Sequence, residues 1–138
     1  MEQERKDDRF IPTLGISIGD FNGVGLEVIM KTFSDTRILR QCTPIIYSSA
    51  KLLAKYKKAL NIPKFNYTII QNPKQAQKRK INVIECFDED VELNLGKVTD
   101  KAGEMAFLSL KSATEDLCKN DTSALVTCLL YTSPSPRD

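Results

Sequence analysis

The chain contains no histidine and no tryptophan in 138 residues. Without imidazole there is no Ser–His or Cys–His nucleophile pair and no His-ligated zinc or iron centre. The cysteines, Cys42, Cys86, Cys118 and Cys128, form no C-x-x-C pair, which argues against a metal cluster and a thioredoxin-like motif. They read as free thiols in a reduced cytosol, behaving as small hydrophobes. No apolar run approaches the roughly 18 residues of a membrane-spanning helix. The segment Met1–Arg9 is charged, with no apolar stretch behind it, so it does not read as a secretory signal. Charge of one sign is also lacking: 20 basic against 18 acidic residues leave +2. That balance gives no broad field for nucleic acid or an anionic membrane.

What is present is ordinary for a globular protein, 41% hydrophobic and 28% charged. The length suits one domain with one core and excludes a two-domain enzyme. Residues 1–10 form a polar leader, expected to fray. The last eleven residues, Cys128 to Asp138, read Cys-Leu-Leu-Tyr-Thr-Ser-Pro-Ser-Pro-Arg-Asp. They resemble a sequencing adapter translated in one frame, so 128–138 is expected to be a non-native, disordered tail. A natural Ser/Pro-rich tail is the alternative. Residues 11–127 are then the natural chain, cut in mid-domain.

Along that stretch strands alternate with helices. Thr13–Ile18 reads as a strand stopped by Gly19. Leu26, Val28, Ile29, Met30 and Phe33 have the spacing of a buried helix face. Thr43–Tyr47 is a second strand, with Ser48 and Ser49 placed to cap the next helix. Leu52, Leu53, Tyr56, Ala59 and Leu60 make one face of that helix, and lysines solvate the rest. Asn66–Ile70 and Ile81–Cys86 are further strands, separated by a polar loop or short helix over 72–80. Asp88–Asp90 is an acidic turn, closed by Gly96. The longest helix is expected over 99–119, capped by Thr99. Its stripe of Ala102, Met105, Ala106, Ser109, Ala113 and Leu117 is small enough to pack close to a sheet. Ser123–Thr127 is the last strand. The alternation predicts βαβ units, right-handed crossovers and a parallel sheet covered by helices.

Gly19-Asp20-Phe21-Asn22-Gly23-Val24-Gly25-Leu26-Glu27 is the most informative segment. Three glycines permit positive φ or close backbone approach between a strand and a helix. The helix N-terminus would suit a phosphate or carboxylate. Asp20 could orient a polar group, although its charge would repel a phosphate there. Val28 stands where a Rossmann fingerprint needs its third glycine, and no Gly-Lys-Ser/Thr occurs. The candidate ligand-contacting residues are therefore Gly19, Asp20, Asn22, Gly23 and Gly25. A tight βα turn with no ligand is the competing reading.

This segment resembles the opening motif of the 4-hydroxythreonine-4-phosphate dehydrogenase family, Gly-Asp-Pro-Ala-Gly-Ile-Gly-Pro-Glu. It departs at Phe21, Asn22 and Leu26. Gly96-Lys97-Val98-Thr99 with Ala102-Gly103-Glu104 resembles the family's lead into its long helix. Ala124-Leu125-Val126-Thr127 resembles the strand that the family continues as Ala-Pro-Ile-Asn-Lys.

The resemblance implies an α/β class and a partial α/β/α sandwich, similar to the isocitrate/isopropylmalate dehydrogenase-like fold. It implies the N-terminal part of a cytoplasmic, homodimeric, NAD-dependent oxidoreductase with a divalent metal. That enzyme oxidises and decarboxylates 4-phosphohydroxy-L-threonine in pyridoxine and pyridoxal phosphate synthesis. Its metal, catalytic and substrate residues lie beyond the last strand, so none is carried over. The 138 residues are then expected to be inactive, marginally stable, and without bound NAD or metal. Two alternatives stay open: a self-contained α/β module holding a phosphorylated ligand without catalysis, and a related dehydrogenase acting on another phosphorylated hydroxy acid.

Overall fold

A computed structural model describes residues 10–62, 65–88, 93, 95–97 and 99–127. The chain forms β1 (Thr13–Ser17), α1 (Gly25–Phe33), a 3-10 turn (Thr36–Arg40), β2 (Thr43–Ser48) and α2 (Ala50–Leu60). It continues through β3 (Tyr67–Ile70), a short 3-10 turn (Pro73–Gln75), β4 (Ile81–Glu85), α3 (Asp100–Cys118) and β5 (Ala124–Thr127). The strands make one sheet in the order β3-β4-β2-β1-β5. Every pairing is parallel, with Ile16 opposite Ile46 on one side and Val126 on the other. A parallel strand pair needs a crossover connection, and helices or longer linkers supply each one here.

Alternating side chains divide the core between the two faces of the sheet. Ile16, Ile46 and Val83 pack with Leu26, Ile29 and Met30 of α1 and Leu52, Leu53 and Tyr56 of α2. Ile45 and Tyr47 pack instead with Ala113 of α3. The result is an α/β/α sandwich, as the sequence predicts.

The helix ends follow from local chemistry. The Ser49 hydroxyl accepts from the Leu52 N–H at 3.1 Å, and the Thr99 hydroxyl accepts from the Ala102 N–H at 3.1 Å. Each satisfies a backbone donor that the first helical turn leaves unpaired. α2 stops at Asn61, whose φ of 54° is one that asparagine tolerates better than most residues.

Ser109 ties α3 to the sheet. Its buried hydroxyl donates to the Tyr47 carbonyl at 2.5 Å and accepts from the Ile18 N–H at 3.0 Å. Nearby, the Tyr47 hydroxyl donates to Asp116 Oδ2 at 2.7 Å. Gly15 leaves room for that ring: a Cβ there would lie 3.2 Å from it.

Several expectations need correction. Val28 is 57% exposed rather than buried, because it lines an open groove beside Leu14, Ile16 and Val126 that no described element fills. Cys42 is buried as a small hydrophobe, but Cys86 is half-buried and Cys118 exposed. All three are free thiols. Leu117 is only half-buried at the end of its stripe. The leader over residues 1–9, Cys128 and the tail over 128–138 lie outside the described residues, as does most of the acidic turn.

Candidate functional site

Strand order places the candidate site. The chain leaves β1 toward β2 on one side and returns beside β1 as β5 on the other. In open parallel sheets, ligands bind at the carboxyl ends of strands where the winding reverses in this way. The Gly19–Gly25 turn leaves β1 at that position.

The turn is built from within. Gly19 takes φ 69°, whereas Gly23 and Gly25 stay outside the left-handed region. Gly25 is instead the first residue of α1 and is buried. Asp20 Oδ1 accepts from the Asn22 N–H at 2.8 Å, and the Asp20 carbonyl accepts from the Gly23 N–H at 3.0 Å. This Asx-type arrangement closes the turn by local side-chain bonding. Asp20 Oδ2 is buried and has no hydrogen-bond partner among the described residues. Val24 holds the N-cap position of α1 and gives no side-chain cap.

Two other parts of the chain converge on the turn. The Tyr56 hydroxyl of α2 donates to the Gly23 carbonyl at 3.0 Å. The Gly96 N–H donates to the Asn22 carbonyl at 2.8 Å, and Asn22 Nδ2 donates to the Thr99 hydroxyl at 3.3 Å. Asn22 thus joins the β1–α1 turn to the cap of α3. Burial pushes the Tyr56 hydroxyl up to about 12, reinforced by the nearby Glu27 and Asp20 carboxylates.

These contacts enclose a pocket of about 270 Å³. Its walls include Asn22, Gly23, Glu27, Tyr56, Gly96 and Lys97. Of the five residues picked from the sequence, Asn22 and Gly23 line it. Gly19 and Asp20 shape the turn instead, and Gly25 faces a separate apolar groove. Tyr56 was read only as part of a helix face, since nothing in the local pattern shows that its hydroxyl reaches a loop 33 residues away.

The lining does not match the cofactors that the resemblance implies. Among the described lining residues Lys97 is the only cation, and the Glu27 carboxylate shares the wall with it. That balance does not suit the two negative charges of a dinucleotide pyrophosphate. Among the described residues, no group of three His, Cys, Asp or Glu side chains is placed to hold a metal. The described lining offers one ammonium, from Lys97, and one carboxylate, from Glu27. Those groups can orient a small polar group.

Comparison with known proteins decides the family. The model for "Pyridoxal phosphate biosynthetic protein PdxA" matches residues 40–132. The chain belongs to the PdxA family. It is 40% identical over 114 residues to a 4-hydroxythreonine-4-phosphate dehydrogenase from Bacteroides thetaiotaomicron, covering 83% of this chain and 31% of that protein. It is 32% identical over 122 residues to a putative D-threonate 4-phosphate dehydrogenase from Clostridium botulinum, covering 84% of this chain and 35% of the relative. A solved 4-hydroxythreonine-4-phosphate dehydrogenase from Burkholderia phymatum superposes with a TM-score of 0.70 at 27% identity, over 86% of this chain and 36% of that one. One from Klebsiella pneumoniae gives 0.72 at 22% identity, over 90% and 38%, a likeness of fold alone. This PdxA-family chain spans about a third of the relatives it matches. Its fold is that of the isocitrate/isopropylmalate dehydrogenase-like class.

Proposed function

We propose that these residues form the N-terminal part of an NAD-dependent dehydrogenase. That enzyme oxidises and decarboxylates 4-phosphohydroxy-L-threonine in vitamin B6 synthesis. The observation that carries the reading is the 40% identity across 114 residues to a dehydrogenase of that name. In this reading the protein is a cytoplasmic homodimer, and residues outside this chain supply its metal, hydride-transfer and substrate contacts. The chain contributes scaffold: a parallel sheet and the turn at its switch point. The Gly19–Gly25 turn orients neighbouring structure or a polar group of the ligand, through Asn22 and Gly23.

A second substrate has a specific observation behind it. Relatives at 32% identity carry the name D-threonate 4-phosphate dehydrogenase. Both names describe phosphorylated four-carbon hydroxy acids, so the class of substrate is common to the two readings.

The test is direct. The purified 138-residue chain, given NAD, a divalent metal and either phosphorylated acid, should form no NADH. The same residues joined to the remainder of the Bacteroides relative should form it, and should prefer one acid. Turnover by the 138-residue chain alone would overturn the scaffold reading. A folded, silent joined protein would count against the dehydrogenase assignment.

A further inference from the structure

We propose that the Asn22–Gly23 junction is a self-modification site that the fold holds shut and that a local opening of the turn releases. Asparagine followed by glycine is the junction at which a side-chain amide is most readily lost, because glycine places no Cβ in the way of its own nitrogen. The sequence has seven asparagines, and only Asn22 precedes glycine. The others precede Ile, Tyr, Pro, Val, Leu or Asp.

The step needs only water. The Gly23 nitrogen gives up its proton and attacks Asn22 Cγ. An N–Cγ bond forms, the Cγ–Nδ2 bond breaks, and the departing nitrogen takes up a proton and leaves as ammonia. Water then opens the resulting succinimide at either carbonyl and leaves aspartate or isoaspartate at position 22.

The folded turn opposes each part of that step. The Gly23 N–H is committed to the Asp20 carbonyl at 3.0 Å, which hinders loss of its proton. Asn22 is buried, and its Nδ2 donates to the Thr99 hydroxyl at 3.3 Å. The Asn22 N–H donates to Asp20 Oδ1 at 2.8 Å, and the Asn22 carbonyl accepts from the Gly96 N–H at 2.8 Å. The Gly23 carbonyl accepts from the Tyr56 hydroxyl at 3.0 Å. All four backbone groups of the junction are thus bonded, and ring closure has to break contacts. Two of the ties come from Gly96 and Thr99, in the stretch that leads into α3. Residues 95–97 there have no helix or strand bonding, so the stretch can lift while the sheet stays paired.

The product changes the pocket. An aspartate at position 22 places a carboxylate in the wall that Glu27 and Lys97 share. Isoaspartate lengthens the backbone of the turn by a methylene, between the grips of Gly96 and Tyr56. Either product removes the donor to Thr99. The junction therefore keeps an irreversible record of how often the turn has opened.

The test compares the purified chain in mildly alkaline buffer with the same chain in urea. Peptide mass spectrometry reads amide loss at each asparagine, and an isoaspartate methyltransferase with labelled S-adenosylmethionine reads the isoaspartate. In urea, Asn22 should convert ahead of every other asparagine. In buffer the rate at Asn22 should be at least about tenfold lower. Urea below the unfolding transition should leave that lower rate unchanged, because a local opening exposes little surface. Thr99→Val removes the hydroxyl and should speed conversion in buffer about fivefold, whereas Thr99→Ser keeps it and should not. Tyr56→Phe frees the Gly23 carbonyl and should quicken conversion independently of the α3 cap. Equal rates in buffer and urea would overturn the proposal, as would another asparagine converting first in urea. So would a rate that climbs in step with the unfolded fraction, or one that neither Thr99→Val nor Tyr56→Phe quickens.

Discussion

Ser109→Ala should destabilise the chain far beyond what one lost oxygen atom suggests. The hydroxyl is fully buried and serves two backbone groups, the Ile18 N–H and the Tyr47 carbonyl. Alanine leaves both without that partner in a site closed to water. An orphaned buried donor or acceptor costs about 1–3 kcal/mol. The better helix propensity of alanine returns about 0.5 kcal/mol. The net loss is about 2–4 kcal/mol, or about 10 °C in melting temperature for a chain of this size. Urea unfolding followed by far-ultraviolet circular dichroism suits a protein without tryptophan. The midpoint should fall with an unchanged slope, because the surface exposed on unfolding is the same. Thr114→Ala, on the exposed side of the same helix, serves as control and should stay within about 0.5 kcal/mol. A Ser109→Ala loss no larger than the control would refute the clamp.

Three further outcomes follow from the same structure. Stability should fall as pH rises above about 9. Burial raises the Cys86 thiol to about 11 and the Tyr56 hydroxyl to about 12, so the folded state holds protons that the unfolded chain releases from about pH 9 upward; urea midpoints at pH 8 and 10.5 measure this, and Tyr56→Phe should flatten the curve. A thiol reagent followed by mass spectrometry should label exposed Cys118 well before Cys42 and Cys86, whose thiols burial pushes upward; equal rates at all three would contradict the burial pattern. Asn22→Ala removes the bond to the Thr99 hydroxyl and should speed amide exchange at the start of α3 while leaving β3 and β4 unchanged; unaltered exchange would show that the tie contributes nothing.

Much of the fold was legible because strand and helix periods are local properties. The small apolar run at 13–18, the capping serine at 49 and the capping threonine at 99 each act within a few residues. Strand order was not legible. The insertion of β4 between β3 and β2 depends on crossover paths that no local pattern encodes. Val28 fits the helical period, yet stays exposed because no described element covers that side of α1. Asn82 lies within the strand expected over Ile81–Cys86. It is fully buried: its side-chain oxygen accepts from the Gln77 N–H, and its amide donates to carbonyls of Pro44, Gln77 and Lys80. A buried amide of this kind organises a loop, but the sequence does not show which residues it will meet. At the candidate site, the turn was legible from its glycines and Asp20. Its closure by Tyr56 and Gly96 joins residues 33 and 74 positions away from their partners and needed the tertiary structure.

The pairing of β1 with β5 also has a consequence in time. Thr13 bonds to Ser123 across 110 residues of chain. At about 5–20 residues per second, the ribosome takes on the order of ten seconds to make that separation. Until then the first strand has only β2 beside it, and its other edge is open to any extended peptide in the cell. A nascent chain of this topology is most vulnerable to mispairing during synthesis, and a slower ribosome would lengthen that interval.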